Sequence, residues 1–177
     1  GNLYLKTVAV LADSSTEVLA ESFTLSDTES MMFEFDGFNR MSGMETGGTV
    51  AEYEYNSDGL RISKTVNDER VDFVLEGGYV IAEIGFDNEV TNYIRGLTGI
   101  IYRKTSDGTK TYYVTNNHGD VTKLANSSGT VIQTYTYDEY GNVISMTGSD
   151  SNPILYCGEY QDLCSGLIYL RNRYYDP

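Results

Sequence analysis

The sequence has no tryptophan, two prolines, two cysteines and one histidine in 177 residues. So few cysteines exclude a disulfide framework, and Cys157, Cys164 and the lone His118 fall short of a four-ligand zinc set. No run approaches the roughly 20 apolar residues of a membrane span. Basic residues are scarce as well: 12 Lys+Arg against 26 Asp+Glu give a net charge of −14. Such an excess repels phosphate, so neither nucleic acid nor an anionic membrane surface is an expected partner. There is no Ser/His/Asp set, phosphate loop or dinucleotide-binding glycine pattern. The Asn/Ser/Asp/Gly clusters lack the spaced acidic ligands and distal Glu of a calcium loop. No cofactor and no metal is expected. The chain opens on Gly1 rather than Met, and reads as an excised piece of a longer protein.

What is present points to sheet. Sixteen tyrosines and 18 glycines alternate with β-branched residues. Aromatic residues stand at Phe33, Tyr53, Phe73, Tyr93 and Tyr113, each 20 positions after the last, and Tyr135 and Tyr156 continue the series at 22 and 21. The flanking residues repeat too. In Tyr135-Thr136-Tyr137-Asp138-Glu139-Tyr140-Gly141-Asn142-Val143, the two leading tyrosines share one face of a strand, Asp138 starts a turn and Gly141 supplies a positive φ. The same plan recurs at Tyr53-Glu54-Tyr55-Asn56-Ser57-Asp58-Gly59, where Asp-Gly is a hairpin signal, and at Phe33-Glu34-Phe35-Asp36-Gly37-Phe38-Asn39, with Asn39 in the left-handed region. Two strands of about seven residues plus their turns account for the period. The fold class is therefore all-β, a succession of antiparallel hairpins forming a twisted, curled sheet. Residues 1–30 are expected to be strands, including Leu3 to Leu11, with a short helix after Ser14 as the competing reading.

The repeated text, Tyr-x-Tyr-Asp-x-x-Gly-Asn-Val, resembles the YD repeats of Rhs and wall-associated proteins. Tyr112 to Val121 looks like the segment that precedes the family's core. The end, Tyr156-Cys157-Gly158-Glu159-Tyr160-Gln161-Asp162 through Ser165-Gly166-Leu167 to Arg171-Asn172-Arg173-Tyr174-Tyr175-Asp176-Pro177, is similar to the Rhs-associated core. The resemblance implies three segments: N-terminal strands over 1–30, YD-repeat hairpins over 31–155 and a truncated core segment over 156–177. It also implies a role, as part of the wall of a hollow β-shell that encloses a C-terminal toxin in a secreted or surface-attached bacterial polymorphic toxin. The expected partners are then the remaining repeats of the parent chain and such a toxin domain, with self-association through open sheet edges. A cell-surface adhesion module binding carbohydrate or protein is the alternative.

In many members the core is an aspartyl autoprotease, and Asp162 matches the first of its two carboxylates, although Gln161 stands where an Arg commonly precedes it. The second half would follow Pro177. Aspartyl chemistry needs two carboxylates sharing a proton, so the fragment is expected not to be an enzyme. The remaining marked positions, Gly158, Gly166 and Arg173, are structural in this reading. Two buried free thiols are favoured over a Cys157–Cys164 disulfide, and His118 is placed at a hairpin tip. Arg171–Tyr175 reads as core strand pairing with carboxylates, and the tyrosine rows as cross-strand packing rather than a sugar-stacking surface.

Overall fold

The computed structural model describes residues 8–11 and 31–177. The expectations for 1–7 and 12–30 lie outside the described residues. The chain divides into two compact units, Gly1–Arg70 and Val71–Pro177.

In the first unit β1 (Val8–Leu11) pairs in parallel with β2 (Met31–Phe35). From β2 onward the pairing is antiparallel and follows chain order through β3 (Met41–Thr46), β4 (Thr49–Tyr55) and β5 (Arg61–Val66). Alternation along β4 buries Ala51 and Tyr53 and exposes Val50, Glu52 and Glu54. The Arg61 guanidinium, itself buried, lies over the Tyr53 ring at 5.1 Å.

β6 (Glu69–Glu76) leads into the second unit. There β7 (Tyr79–Ile84), β8 (Val90–Gly96), β9 (Gly99–Thr105), β10 (Lys110–Thr115), β11 (Val121–Asn126), β12 (Val131–Tyr137) and β13 (Val143–Thr147) each pair antiparallel with the preceding strand. The tail adds a small sheet of β14 (Tyr160–Gln161), β15 (Ile168–Tyr169) and β16 (Tyr174–Tyr175).

Two kinds of turn explain the period of twenty. Gly47-Gly48, Asn67-Asp68 and Gly77-Gly78 are tight turns with both φ angles positive, the primed geometry that matches strand twist. Five of the wider loops begin at Asp36, Asn56, Asn116, Asn126 and Asp138. In each, the opening amide donates to the carbonyl four residues on, at 2.9–3.0 Å. The opening side chain's Oδ1 accepts the amides two and four residues on, as Asn56 does from Asp58 and Leu60 at 3.0 and 2.9 Å. The Asp of the repeated Tyr-Asp pair is thus the loop's anchor, in the Asx-turn manner. The hairpin signalled by Asp58-Gly59 is present between β4 and β5, with Gly59 at φ 76°, but its loop is longer than a two-residue turn. Asn56 opens a longer loop there, because its side chain claims the amides that a two-residue turn would have placed otherwise. Asn39 does adopt a positive φ, 61°.

The aromatic markers Phe33, Tyr53, Phe73, Tyr93, Tyr113 and Tyr135 fall on β2, β4, β6, β8, β10 and β12, and every one is buried. Tyr156, next in the series, departs from this plan. It opens a 3₁₀ turn, Tyr156–Gly158, instead of lying in a strand.

Candidate functional site

In the second unit the buried faces of the hairpins form one apolar cluster: Phe73, Val80, Tyr93, Ile100, Tyr113, Val121, Leu124 and Tyr135. Such a face needs a cover. The tail supplies it, with Ile154, Leu155 and Tyr160 completing the cluster. The Tyr160 ring meets Phe73 edge-on at 5.4 Å, the arrangement that aromatic quadrupoles prefer. Burial pushes the Tyr93 and Tyr160 hydroxyls well above their ordinary pKa, so both remain protonated.

A polar seam lines up the tail. Tyr113 donates to Asn152 Oδ1 at 2.7 Å, and Asn152 Nδ2 donates to the Ile154 carbonyl at 2.6 Å. Gln133 brackets Asp150, donating to its carbonyl at 2.8 Å and accepting its amide at 2.7 Å. Arg103 pairs with the Asp150 carboxylate. These partners explain tyrosine rather than phenylalanine at marker position 113, since a buried hydroxyl must be satisfied. Beyond the seam, Tyr156 lies against Gly141, where a β-carbon would come within 2.6 Å of the ring and where φ is 103°. Tyr137 donates to the Val121 carbonyl at 2.7 Å.

The 3₁₀ turn then brings chemistry together. Cys157 sits at φ 54°, ψ 17°, and is exposed. Its amide donates to Asp120 Oδ1 at 2.9 Å, and its Sγ lies 3.7 and 3.8 Å from the two ring nitrogens of His118. His118 Nδ1 is 2.9 Å from Asp120 Oδ1. Asn116 donates to Asp120 Oδ2 at 2.7 Å, and its own Oδ1 accepts the His118 and Asp120 amides. Burial alone would raise the pKa of Asp120. The donors from Cys157, Asn116 and His118 outweigh burial and hold that carboxyl below its ordinary 3.8. The Cys157 thiol is pushed up, first by burial of its base and then by the Asp120 and Glu159 carboxylates. Beside this cluster opens a cavity of about 1200 Å³, with Tyr79, Arg95, Thr98 and Asn116 among its walls.

His118 does stand at a hairpin tip, between β10 and β11. Neither cysteine is in a disulfide, yet the expectation of two buried thiols fails: Cys164 is half-buried, and Cys157 is exposed because the left-handed turn directs its side chain to the His118 edge of the cavity. Asp120 escaped the sequence reading. Its partner Cys157 is 37 residues away, and only the Asn116-anchored loop hinted that its position was constrained. Asp162 is wholly buried at the start of the turn after β14, where its carbonyl accepts the Ser165 and Gly166 amides at 3.1 and 2.7 Å. Gly158 and Gly166 adopt positive φ, 66° and 77°. Arg173 is exposed, whereas Arg171 pairs with Glu159 at 2.7 Å and stacks on Tyr79.

Comparison with known proteins gives this arrangement a family. No protein-family profile matches the chain. Over 97% of its length it is 32% identical to the tRNA3(Ser)-specific nuclease WapA of Bacillus spizizenii, and 31% identical to the tRNA nuclease WapA of Bacillus subtilis. Among solved structures, the TcdB2-TccC3-Cdc42 crystal structure superposes with a TM-score of 0.68 at 18% identity, over 82% of this chain and 8% of that one. The TcdB2-TccC3 crystal structure does so at 0.62 and 15%, over 83% and 9%. These are Rhs-repeat shell structures.

The chain belongs to the Rhs/YD-repeat family.

It spans 9% of the length of either WapA relative. The expectation that the chain is not an enzyme is overturned, because these relatives are named tRNA nucleases, which are enzymes. That expectation rested on a single chemistry, aspartyl self-cleavage, and the missing half of its motif had no bearing on hydrolysis of RNA.

Proposed function

We propose that this Rhs/YD-repeat segment is a length of encapsulating wall in a secreted or wall-associated bacterial toxin whose parent chain cleaves tRNA. The observation that carries the reading is the pairing of two likenesses. Nearly the whole chain aligns with a small fraction of the WapA tRNA nucleases, and the same residues take the fold of Rhs-repeat shells. Residues 31–155 serve as the repeats and 156–177 as the opening of the core segment. The junction of the two falls where Ile154, Leu155 and Tyr160 cap the hairpin cluster. An adhesive surface of stacked tyrosines fits less well, because the marker rings are buried.

The test uses the parent chain. Purified parent should digest tRNA after its downstream domain is released, and that domain should resist added protease while the wall is intact. A downstream domain cut as fast in the intact parent as when isolated would refute encapsulation. A parent that leaves tRNA untouched in both forms would refute the nuclease reading.

Asp162 is offered as one carboxylate of a self-cleaving pair in that parent, supported by its complete burial beside β14. Asp162→Asn should then leave the parent uncut while the unsubstituted chain separates into two pieces. Equal cleavage in both would remove Asp162 from the reaction.

A further inference from the structure

Beyond the Cys157 amide hydrogen bond that holds the turn to Asp120, Cys157, His118 and Asp120 bring together three side chains of different kinds. Sulfur, imidazole nitrogen and carboxylate oxygen all lie within 4.8 Å of one another. Two residues come from one loop, which Asn116 holds by accepting the His118 and Asp120 amides at 3.0 Å. The third comes from the 3₁₀ turn, which the Cys157 amide pins to Asp120 and the Gly158 carbonyl pins to Arg95. The cluster is therefore assembled in advance of any ligand.

Its spacing can be compared with a tetrahedral ion. Metal–sulfur and metal–nitrogen bonds of about 2.3 and 2.0 Å at a tetrahedral angle place sulfur and nitrogen about 3.5 Å apart. Cys157 Sγ and His118 lie at 3.7 and 3.8 Å. Nitrogen and oxygen on the same ion stand about 3.3 Å apart. His118 Nδ1 and Asp120 Oδ1 are 2.9 Å apart, a gap now bridged by a proton that an ion would replace. Sγ now stands nearly equidistant from both ring nitrogens, so closing the set requires the exposed His118 ring to turn one nitrogen's lone pair towards an ion shared with Cys157.

We propose that His118, Asp120 and Cys157 bind a thiophilic divalent cation of the Zn²⁺ class, leaving a coordination position open to the adjoining cavity. The donor set selects the metal. Thiolate and imidazole favour zinc over magnesium or calcium, which take oxygen ligands.

The test is direct titration of the reduced, chelator-treated chain with Co²⁺ as an optical probe, followed by displacement with Zn²⁺. One equivalent should produce a near-ultraviolet thiolate charge-transfer band that Zn²⁺ abolishes. Cys157→Ser should remove the band, while Cys164→Ser should leave it. His118→Ala should weaken Co²⁺ and Zn²⁺ binding by about tenfold or more, as loss of a metal-site partner does. His118 and Cys157 are both exposed, so these variants keep the fold, which circular dichroism verifies. Absence of a thiolate band, a band that survives Cys157→Ser, or an affinity unchanged in His118→Ala would overturn the site.

Discussion

Asn152 is the residue on which docking of the tail turns. It is 2% exposed, and its side chain answers three buried groups. Oδ1 accepts the Tyr113 hydroxyl at 2.7 Å and the Ile154 amide at 3.2 Å, while Nδ2 donates to the Ile154 carbonyl at 2.6 Å. In Asn152→Ala all three lose their partner. A buried unpaired group costs about 1–3 kcal/mol, and water entering the vacated volume favours the low end, so three groups give roughly 3–4.5 kcal/mol. With a urea slope of about 2 kcal/mol per molar, the midpoint should fall by about 1.5–2.3 M. Tyr113→Phe removes one donor and leaves Asn152 with Ile154, so its cost should be about 1 kcal/mol. Added to Asn152→Ala, Tyr113→Phe removes the orphaned hydroxyl and should restore about 1 kcal/mol, so the cycle should return a coupling of about 2 kcal/mol. The assay is urea unfolding followed by tyrosine fluorescence. A midpoint drop below about 0.5 M for Asn152→Ala at unchanged slope would refute the view that the seam, rather than apolar burial alone, seats the tail.

Further outcomes follow from other positions. Gly141→Ala sets a β-carbon 2.6 Å from the Tyr156 ring at φ 103°; the backbone strain alone should cost about 1–2 kcal/mol, read by thermal unfolding, and the Tyr156 ring signals should shift in NMR spectra. At Asp36, burial raises the pKa, but hydrogen bonds from the Arg40 side chain and from the Arg40 and Phe38 amides outweigh it and hold the carboxyl below its ordinary 3.8. Its contribution to stability is therefore complete above the unfolded value and lost as pH falls from about 4 through the folded value. Unfolding midpoints across that range should drop less steeply in Asp36→Asn, and parallel profiles would remove Asp36 as a source of the acid sensitivity. Alkylation by iodoacetamide at alkaline pH, where the raised Cys157 thiol ionises, followed by intact mass, should label Cys157 well before the half-buried Cys164; equal rates would contradict the turn geometry.

The hairpin plan could be read from residue order because it depends on local chemistry. Aromatic spacing marks every second strand, and Asx side chains at Asp36, Asn56 and Asp138 bond amides within four residues of themselves. The length of the loops was less legible, since Asp58-Gly59 carries a tight-turn signal that Asn56 overrides. Tyr156 kept its place in the count and lost its place in a strand, because the chain there leaves the ladder to cap the cluster.

What the sequence by itself determined is the repeating unit and the family, both encoded in short-range bonds and in a motif that recurs. What only the tertiary structure decided is which distant residues meet. Asn152 reaches Tyr113 across 39 positions, and Cys157 reaches His118 across the same interval. No pattern in the chain announces those contacts, since they arise from the apolar face's need for a cover and from the path by which the tail supplies it.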